Sequence, residues 1–205
     1  MNSNSTNPVL ERWLKRTEKL NPVVREALAS LSHTFPMAMK IKKTKSCKVA
    51  PKEGDLICLK TYRNTMVWGR VLDADLQSGD PEGFMEHKIV VVLYKNGDPR
   101  DTKLLHETLK ENLMMAPIIV DMGYWHKGYF QTLDHMPLSP LEKELSYGFY
   151  DFRKEVIVDS QGCQLDLEPD FLGIYGVTTI VGLSRKIEQE MIINTFEEDN
   201  FRAKE

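Results

Sequence analysis

The feature that most constrains the fold is a change of hydrophobic periodicity at about residue 54 of this 205-residue chain. Before that point, apolar residues recur at helical spacing over residues 8–20, and residues 22–31 predict a second short helix with proline in its first turn. After it, short alternating or β-branched segments are separated by turn residues, which is typical of strands. The sequence therefore predicts an α+β fold, with a mostly antiparallel β-sheet or partial barrel, an N-terminal helical arm and a C-terminal helix.

The first two predicted strands form a hairpin. Residues 54–62 and 65–75 alternate apolar and polar side chains, and the turn-like pair Arg63-Asn64 lies between them. The elements predicted downstream are a β-branched strand in residues 87–100 ending at the turn 96–99 (NGDP), a helical turn in 102–112, one or two strands in 116–133, a strand pair in 146–159, and a helix in 177–196 with a frayed tail after it.

The two parts of the chain carry opposite charge. Residues 1–52 hold eleven lysines and arginines against three glutamates, whereas the formal net charge of the whole chain is −3, so residues 53–205 are strongly acidic. Six of those lysines lie within residues 40–52 without interleaved aromatic residues, which favours a solvated linker over a surface for stacking on bases. We therefore predict a basic helical arm and linker in residues 1–52 and an acidic β-rich domain in residues 53–205.

The acidic residues of the second part cluster in two segments that contain no lysine or arginine. Solvated loops are one interpretation of such segments, and a surface that attracts a basic protein is another. An acidic body repels nucleic acid and anionic membranes, so those partners are not expected for it. The candidate partner-binding acids are Asp73, Asp75, Asp80, Glu82 and Glu86 in residues 73–86, and Asp159, Asp166, Glu168 and Asp170 in residues 159–170.

Composition and terminal sequence place the chain in a reducing compartment. The N-terminus is polar and lacks the basic and apolar segments of a secretory signal, and no apolar run approaches the roughly 20 residues of a membrane helix. The three cysteines (Cys47, Cys58 and Cys163) are odd in number and widely spaced, which argues against a disulfide framework or a zinc knuckle. A cytoplasmic location follows as the expectation.

Sequence patterns of catalysis are missing. The chain has no His-x-x-x-His, His-Glu-x-x-His or Cys-x-x-Cys spacing, no nucleophile elbow and no phosphate-binding glycine loop. Its most compact histidine group, His126, Asp134 and His135, is interpreted as surface residues and not as a metal site. We therefore expect no enzymatic activity, no cofactor and no metal.

Aromatic residues supply a second candidate contact. Residues 124–130 (YWHKGYF) form the densest aromatic run and are predicted to lie in a strand, with Tyr124 and Trp125 either contacting a partner or packing in the core. In the second strand of the hairpin, Trp68 and Arg70 point to the same face because side chains alternate. We expect that pair to be structural, with Arg70 stacking on Trp68 or pairing with an acid across the sheet.

Short landmarks in a fixed order carry a family resemblance over residues 53 to about 190. They are an opening Gly-Asp strand at 54–57, a Gly-Arg-Val strand at 68–71, a β-branched strand ending in tyrosine at 89–94, an apolar turn at 117–120 leading to Trp125, and a glycine-containing turn at 173–176. In this order they resemble the immunity protein 26 family of bacterial polymorphic-toxin systems. The basic arm is not part of that pattern.

The resemblance implies a cytoplasmic immunity protein that binds and neutralises the catalytic domain of a cognate polymorphic or contact-dependent toxin, covering its active cleft. A basic nuclease toxin would suit the acidic body, because electrostatic steering accelerates association. The alternative is a small β-barrel adaptor that binds nucleic acid or a ribonucleoprotein through the basic arm, which salt-sensitive RNA or DNA binding would reveal.

Overall fold

A computed structural model describes residues 7–34, 41–78, 83–95 and 109–202 of the chain, and within them the side chains of residues 32–34 and 196–202 are not described. The described helices are α1 (Pro8–Glu18), α2 (Pro22–Thr34), α3 (Leu109–Asn112), α4 (Gly123–His126), α5 (Pro140–Lys143) and α6 (Ile180–Arg202). The described strands are β1 (Ile41–Lys42), β2 (Asp55–Thr61), β3 (Met66–Asp73), β4 (Ile89–Leu93), β5 (Ile118–Val120), β6 (Gln131–His135), β7 (Tyr147–Asp151), β8 (Val156–Val158) and β9 (Phe171–Ile174).

A curled antiparallel sheet forms the centre of the fold, which confirms the α+β prediction. Its strands run in the order β1-β2-β3-β4-β5, and β6 also pairs with β2. Both β1 and β6 lie on the same edge of β2, because β1 pairs with its C-terminal end (Ile41 opposite Thr61) whereas β6 pairs with its N-terminal half. The predicted hairpin is β2–β3, and Asn64 in its turn has a positive φ of 64°. Asparagine tolerates this left-handed conformation better than most residues.

The central sheet is buried on both faces, which is why its strands read as apolar runs. Along β4, Ile89, Val91 and Leu93 belong to one core cluster, and Val90 and Val92 belong to the other. The first cluster includes Leu183 and Ile187 of α6, so the C-terminal helix covers one face of the sheet. The second includes Phe149 and Val158 of a small sheet ordered β8-β7-β9, in which β7 and β9 are parallel.

The N-terminal arm packs on the rest of the chain. Helix α1 contacts β9, and α2 contacts α6, where Val24 and Leu31 are buried. Ile41 in β1 is only 1% exposed and belongs to the first core cluster. Residues of the predicted linker also bond to the body, because the Thr44 and Cys47 amides donate to the Gly128 and Trp125 carbonyls. The domain boundary between residues 52 and 53 stays a prediction. Residues on its N-terminal side, from Ile41 to Cys47, contact the domain that follows it.

The predicted strand at the aromatic run is wrong. The run begins in the short helix α4 and ends in a turn at Gly128, and the chain extends again only at β6. Gly128 has a φ of +74°, and a Cβ there would lie 2.9 Å from the Thr44 carbonyl oxygen, so a close approach of two backbone segments requires glycine.

The C-terminal helix is confirmed, but it continues to Arg202 where a frayed tail was predicted from residue 197. The turn predicted at residues 96–99 lies outside the described residues, as does most of the helical turn predicted in 102–112, of which α3 is the described end. No helix in the described part of the chain is long and apolar enough to cross a membrane.

Candidate partner-binding surface

The two acidic segments of the sequence meet in the fold beside Tyr147 of β7. Burial raises the pKa of the Tyr147 phenol, a hydrogen bond with Ser160 opposes this, and the carboxylates of Asp73, Asp159 and Glu53 raise the pKa further. Asp73 belongs to the first acidic segment and Asp159 to the second. The geometry agrees, because a Cβ at Gly162 of the second segment would lie 3.7 Å from the Ser78 carbonyl oxygen of the first. Glu53 and Tyr147 line one depression, so the two segments and Glu53 share one region of the surface.

The loops that carry these acids are held by local hydrogen bonds. Asp159 Oδ1 accepts from the amides of Gln161 and Cys163, which closes the turn after β8. Asp73 Oδ1 accepts from the Asp75 amide at 3.0 Å, which fixes the turn after β3. The side chains therefore sit on ordered turns, so less conformational entropy is lost when a partner binds them.

We call Glu53, Asp73, Asp75 and Asp159 the acidic face. Among the described residues, none of the four forms an ion pair with lysine or arginine. Asp75 is 2.7 Å from Nδ1 of His87, and both of those side chains are largely exposed. Lys52 and Lys143 lie near Glu53, but neither is within ion-pair distance of a carboxylate of the acidic face.

Two depressions flank Glu53. One of about 490 Å³ also has Asp75, His87 and Lys52 in its lining. The other, of about 350 Å³, includes Tyr147, Lys143 and the buried Glu142. An acidic surface with depressions of this size can receive long basic side chains of another protein.

The far end of the second acidic segment is different, because cations of the same chain occupy it. Arg12 of α1 donates to Glu168 Oε1 through Nε at 3.0 Å, and its guanidinium also donates to the carbonyls of Pro169 and Asp170. The Asp170 carboxylate pairs with Lys110 of α3. We call Glu168 and Asp170 the paired acidic edge.

The remaining acids predicted to bind a partner lie elsewhere. Glu86 accepts a hydrogen bond from Ser78 at 2.8 Å. Asp166 is exposed and pairs with no described residue. Asp80 and Glu82 lie outside the described residues. The structure therefore brings together Asp73, Asp75 and Asp159. These three differ from Glu168 and Asp170, which are paired with cations of the same chain.

The predicted aromatic contacts, Tyr124 and Trp125, are core residues, 2% and 0% exposed. The Tyr124 hydroxyl donates to the Thr178 carbonyl at 2.7 Å, and burial raises the pKa of this phenol strongly. The Trp125 indole donates to Thr132 Oγ1 at 3.1 Å and meets Phe130 edge-on. Of the two interpretations offered by the sequence, this burial favours packing over contact with a partner.

Arg70 has the structural role expected for it, with its acid partner supplied by a helix and not by a neighbouring strand. Its Nε lies 3.0 Å from Oε1 of Glu142 in α5, and both side chains are 1% exposed. The Tyr94 hydroxyl donates to the same carboxylate at 3.1 Å. This buried network ties β3 and β4 to the helix beside the acidic face.

The histidine group is dispersed. His135 Nδ1 lies 2.9 Å from Oδ1 of the buried Asp55, whereas His126 is exposed at the end of α4. In the described residues, no group of three or more metal-ligating side chains is close enough to hold an ion.

Sequence reasoning missed Glu53 and Tyr147 as members of this surface. Glu53 stands alone at the start of the domain, directly before the positive-φ Gly54, and belongs to no acidic run. The one available signal was its position next to a predicted strand end, where a side chain is held in place but remains exposed. Tyr147 carried no signal at all.

Comparison with known proteins gives one match. The family model described as immunity protein 26 matches residues 52–155, about half of the chain. No curated protein and no solved structure matches. The matched range contains Glu53, Asp73, Asp75 and Tyr147, and it excludes Asp159, the paired acidic edge, α6 and both N-terminal helices.

Proposed function

We propose that this chain, which belongs to the immunity protein 26 family, binds the catalytic domain of a cognate polymorphic or contact-dependent toxin through its acidic face and covers the toxin's active cleft. The observation that carries the proposal is that the two acidic segments meet, with Gly162 against the Ser78 carbonyl, and that no described lysine or arginine forms an ion pair with the acidic face. Family membership supports a protein toxin as the partner. The acidic face supports a partner whose cleft is basic, as in a nuclease.

Charge complementarity supports the mechanism physically. Several carboxylates without ion-pair partners on one surface create a negative potential that attracts a basic cleft before contact and orients the encounter. Once the surfaces meet, basic side chains of the toxin can enter the two depressions beside Glu53. Pairs formed there lose water and then slow dissociation as well.

The proposed role is inhibition by binding, without chemistry of its own. We propose a cytoplasmic site of action, because a toxin that reaches the producing cell's interior must be neutralised there, and we propose that no cofactor or metal is involved. The alternative of nucleic-acid binding through the arm has less support, since Arg12 and Arg16 are already paired with Glu168 and Glu190.

Co-expression with the toxin encoded in the adjacent open reading frame tests the proposal. The decisive variant neutralises the acidic face isosterically by Glu53→Gln, Asp73→Asn, Asp75→Asn and Asp159→Asn, which keeps the carbonyl acceptors of the two turns. We expect wild type to co-purify with the toxin and protect cells, and the variant to lose most of that protection.

The matched control removes the same number of charges from exposed positions off the acidic face: Glu18→Gln, Glu26→Gln, Glu111→Gln and Glu155→Gln. This control should protect as well as wild type. Equal protection by both variants would contradict the assignment of the acidic face, and no complex with wild type would contradict the proposed toxin.

A further inference from the structure

A cavity of about 390 Å³ lies between the N-terminal arm and the body. Its apolar walls come from Leu10 and Trp13 of α1, Met115 and Ala116 before β5, and Leu172 of β9. This volume falls within the range of small-molecule sites, about 300–1,000 Å³. Apart from Met115 and Ala116, these residues lie outside the range matched by the family model, so the cavity belongs to what this chain adds to the family domain.

The charged groups that line the cavity do not balance. Arg16 forms a two-point pair with Glu190, at 2.6 and 2.8 Å, and Arg12 is committed to Glu168. Lys186 of α6 is the remaining charged residue of the lining, and within the described residues it has no hydrogen bond or ion pair. The cavity therefore contains one ammonium group without a counter-charge.

Lys186 is expected to lower the stability of the folded state at this position. It is partly buried, and loss of water around its ammonium lowers the pKa of the group. The neighbouring charges do not offset that cost, because Glu190 is already occupied by Arg16. An apolar side chain of similar length would line the same cavity without a desolvation penalty. The geometric observation is an ammonium group without an ion-pair partner at the edge of an apolar cavity, an arrangement that suits a ligand with one negative charge and an apolar part.

We propose that this cavity binds a small amphiphilic monocarboxylate, with the carboxylate on Lys186 and the apolar part against Trp13, Met115 and Leu172. A single unpaired cation matches a single negative charge, and no arginine is left free for the bidentate binding that phosphate groups favour. Because the walls come from both α1 and the body, the ligand would hold the arm in place. This inference does not rest on the proposed toxin.

Calorimetric titration of the full chain with octanoate, and with 1-octanol as the uncharged probe, tests the site. We expect octanoate to bind to one site at millimolar concentration or below, more tightly than octanol. Lys186→Met should weaken octanoate by about 10-fold or more, the usual effect of losing a charge-assisted hydrogen bond, and leave octanol unchanged. Lys154→Met, at an exposed position in the β7–β8 turn, is the matched control and should bind both probes like wild type.

Thermal unfolding without ligand gives an independent readout. Because burial holds the pKa of Lys186 below its ordinary value of 10.5, the folded state pays for its charge at neutral pH, and Lys186→Met should raise the Tm there. Well above pH 10.5 the lysine is neutral in both states, so the gain should shrink as the pH is raised through 10.5 and then vanish. The other charged groups of the cavity, Arg12, Arg16 and Glu190, are unchanged in this comparison.

Three results would overturn the proposal: no octanoate binding to wild type at millimolar concentration, equal octanoate affinity in wild type and Lys186→Met, or a lower Tm for Lys186→Met at neutral pH. Ala116→Phe, which fills the cavity, should abolish binding of both probes, and retained binding would place the probe elsewhere. If Ala116→Phe does not fold, Lys186→Met with its Lys154→Met control still decides the outcome.

Discussion

The acidic face and the paired acidic edge carry the same kind of side chain and differ in what their own chain offers them. Glu168 and Asp170 are held by Arg12 and Lys110, so each carboxylate and its cation present little net charge to a distant partner. Glu53, Asp73, Asp75 and Asp159 have no such described cations. Acidic residues that look equivalent in sequence, even within the one segment 159–170, therefore become one surface available for binding and one already used to attach the arm.

The attachment of the arm also explains the opposite charges of the two parts of the chain. Arg12 and Arg16 of α1 reach Glu168 and Glu190 of the body, so part of the charge difference is compensated within the molecule. The linker also reaches the body, because Lys52 lies in one of the depressions beside Glu53.

The largest loss of stability is expected at the fully buried ion pair between Arg70 and Glu142. This loss is an upper limit for the losses expected at the exposed ion pairs. Arg70→Met leaves the Glu142 carboxylate buried without its cation and should destabilise the fold by about 3–5 kcal/mol. Denaturant unfolding measures this. The double variant Arg70→Met/Glu142→Gln, which removes the charge and keeps an oxygen acceptor for Tyr94, should recover much of the loss. A single variant as stable as wild type would show that the pair is not essential.

Two truncated proteins test where the stable domain begins. A protein that begins at residue 40 keeps Ile41 in the core and the bonds of Thr44 and Cys47, whereas one that begins at residue 48 loses all three. We expect the shorter protein to be less stable by about 3 kcal/mol or more, since burial of an isoleucine alone contributes that much. Circular dichroism during urea unfolding gives the comparison.

Equal stability of the two truncated proteins would support an independent domain starting at residue 53. If neither folds, α1 and α2 are integral to the fold, through the contacts of α2 with α6.

Without Arg12, the Glu168 carboxylate of the paired acidic edge should be free to attract a basic partner. Arg12→Ala removes the cation from Glu168, and we expect the association rate with the toxin to rise by a few fold at low salt. The stability cost should stay within about 1 kcal/mol, because the pair is partly exposed. Arg12→Lys keeps the charge and should leave the rate unchanged. A slower association of Arg12→Ala would indicate that Arg12 itself contacts the toxin.

The smallest effect is expected at Lys110 and Asp170. Both side chains are more than half exposed, so Lys110→Ala should change stability by no more than about 1 kcal/mol. Thermal unfolding in low and high salt checks this, with Lys154→Ala as the control. A larger, salt-insensitive loss would mean that α3 depends on this pair for its position.

Local patterns in the sequence were sufficient for much of the fold. The β2–β3 hairpin, the two N-terminal helices and the C-terminal helix were predicted from periodicity and turn residues, which act over a few positions. The aromatic run was misassigned because its helix is a single turn, started where the Asp121 side chain accepts from the Gly123 amide and closed by Gly128. A one-turn helix has too few residues to show a helical period.

The candidate surface was only partly predictable, because charge pairing is a tertiary property. Asp73 and Asp159 were named from composition, but their meeting beside Tyr147 depends on how the small sheet packs on the central one. Glu168 was named on the same grounds, yet its cation is Arg12, 156 positions away in the sequence. Linear charge density identifies acidic segments and does not reveal which of them the chain itself neutralises.

The central claim is that the acidic face, and not the paired acidic edge, receives the partner. Stopped-flow association with the toxin domain tests it most directly, comparing the isosterically neutralised acidic face with the edge variant Glu168→Gln/Asp170→Asn at low and physiological salt. We predict that the face variant associates about 10-fold or more slowly at low salt and loses most of its salt dependence, whereas the edge variant stays within about two-fold of wild type. Equal slowing of both variants, or greater slowing at the edge, would contradict the account.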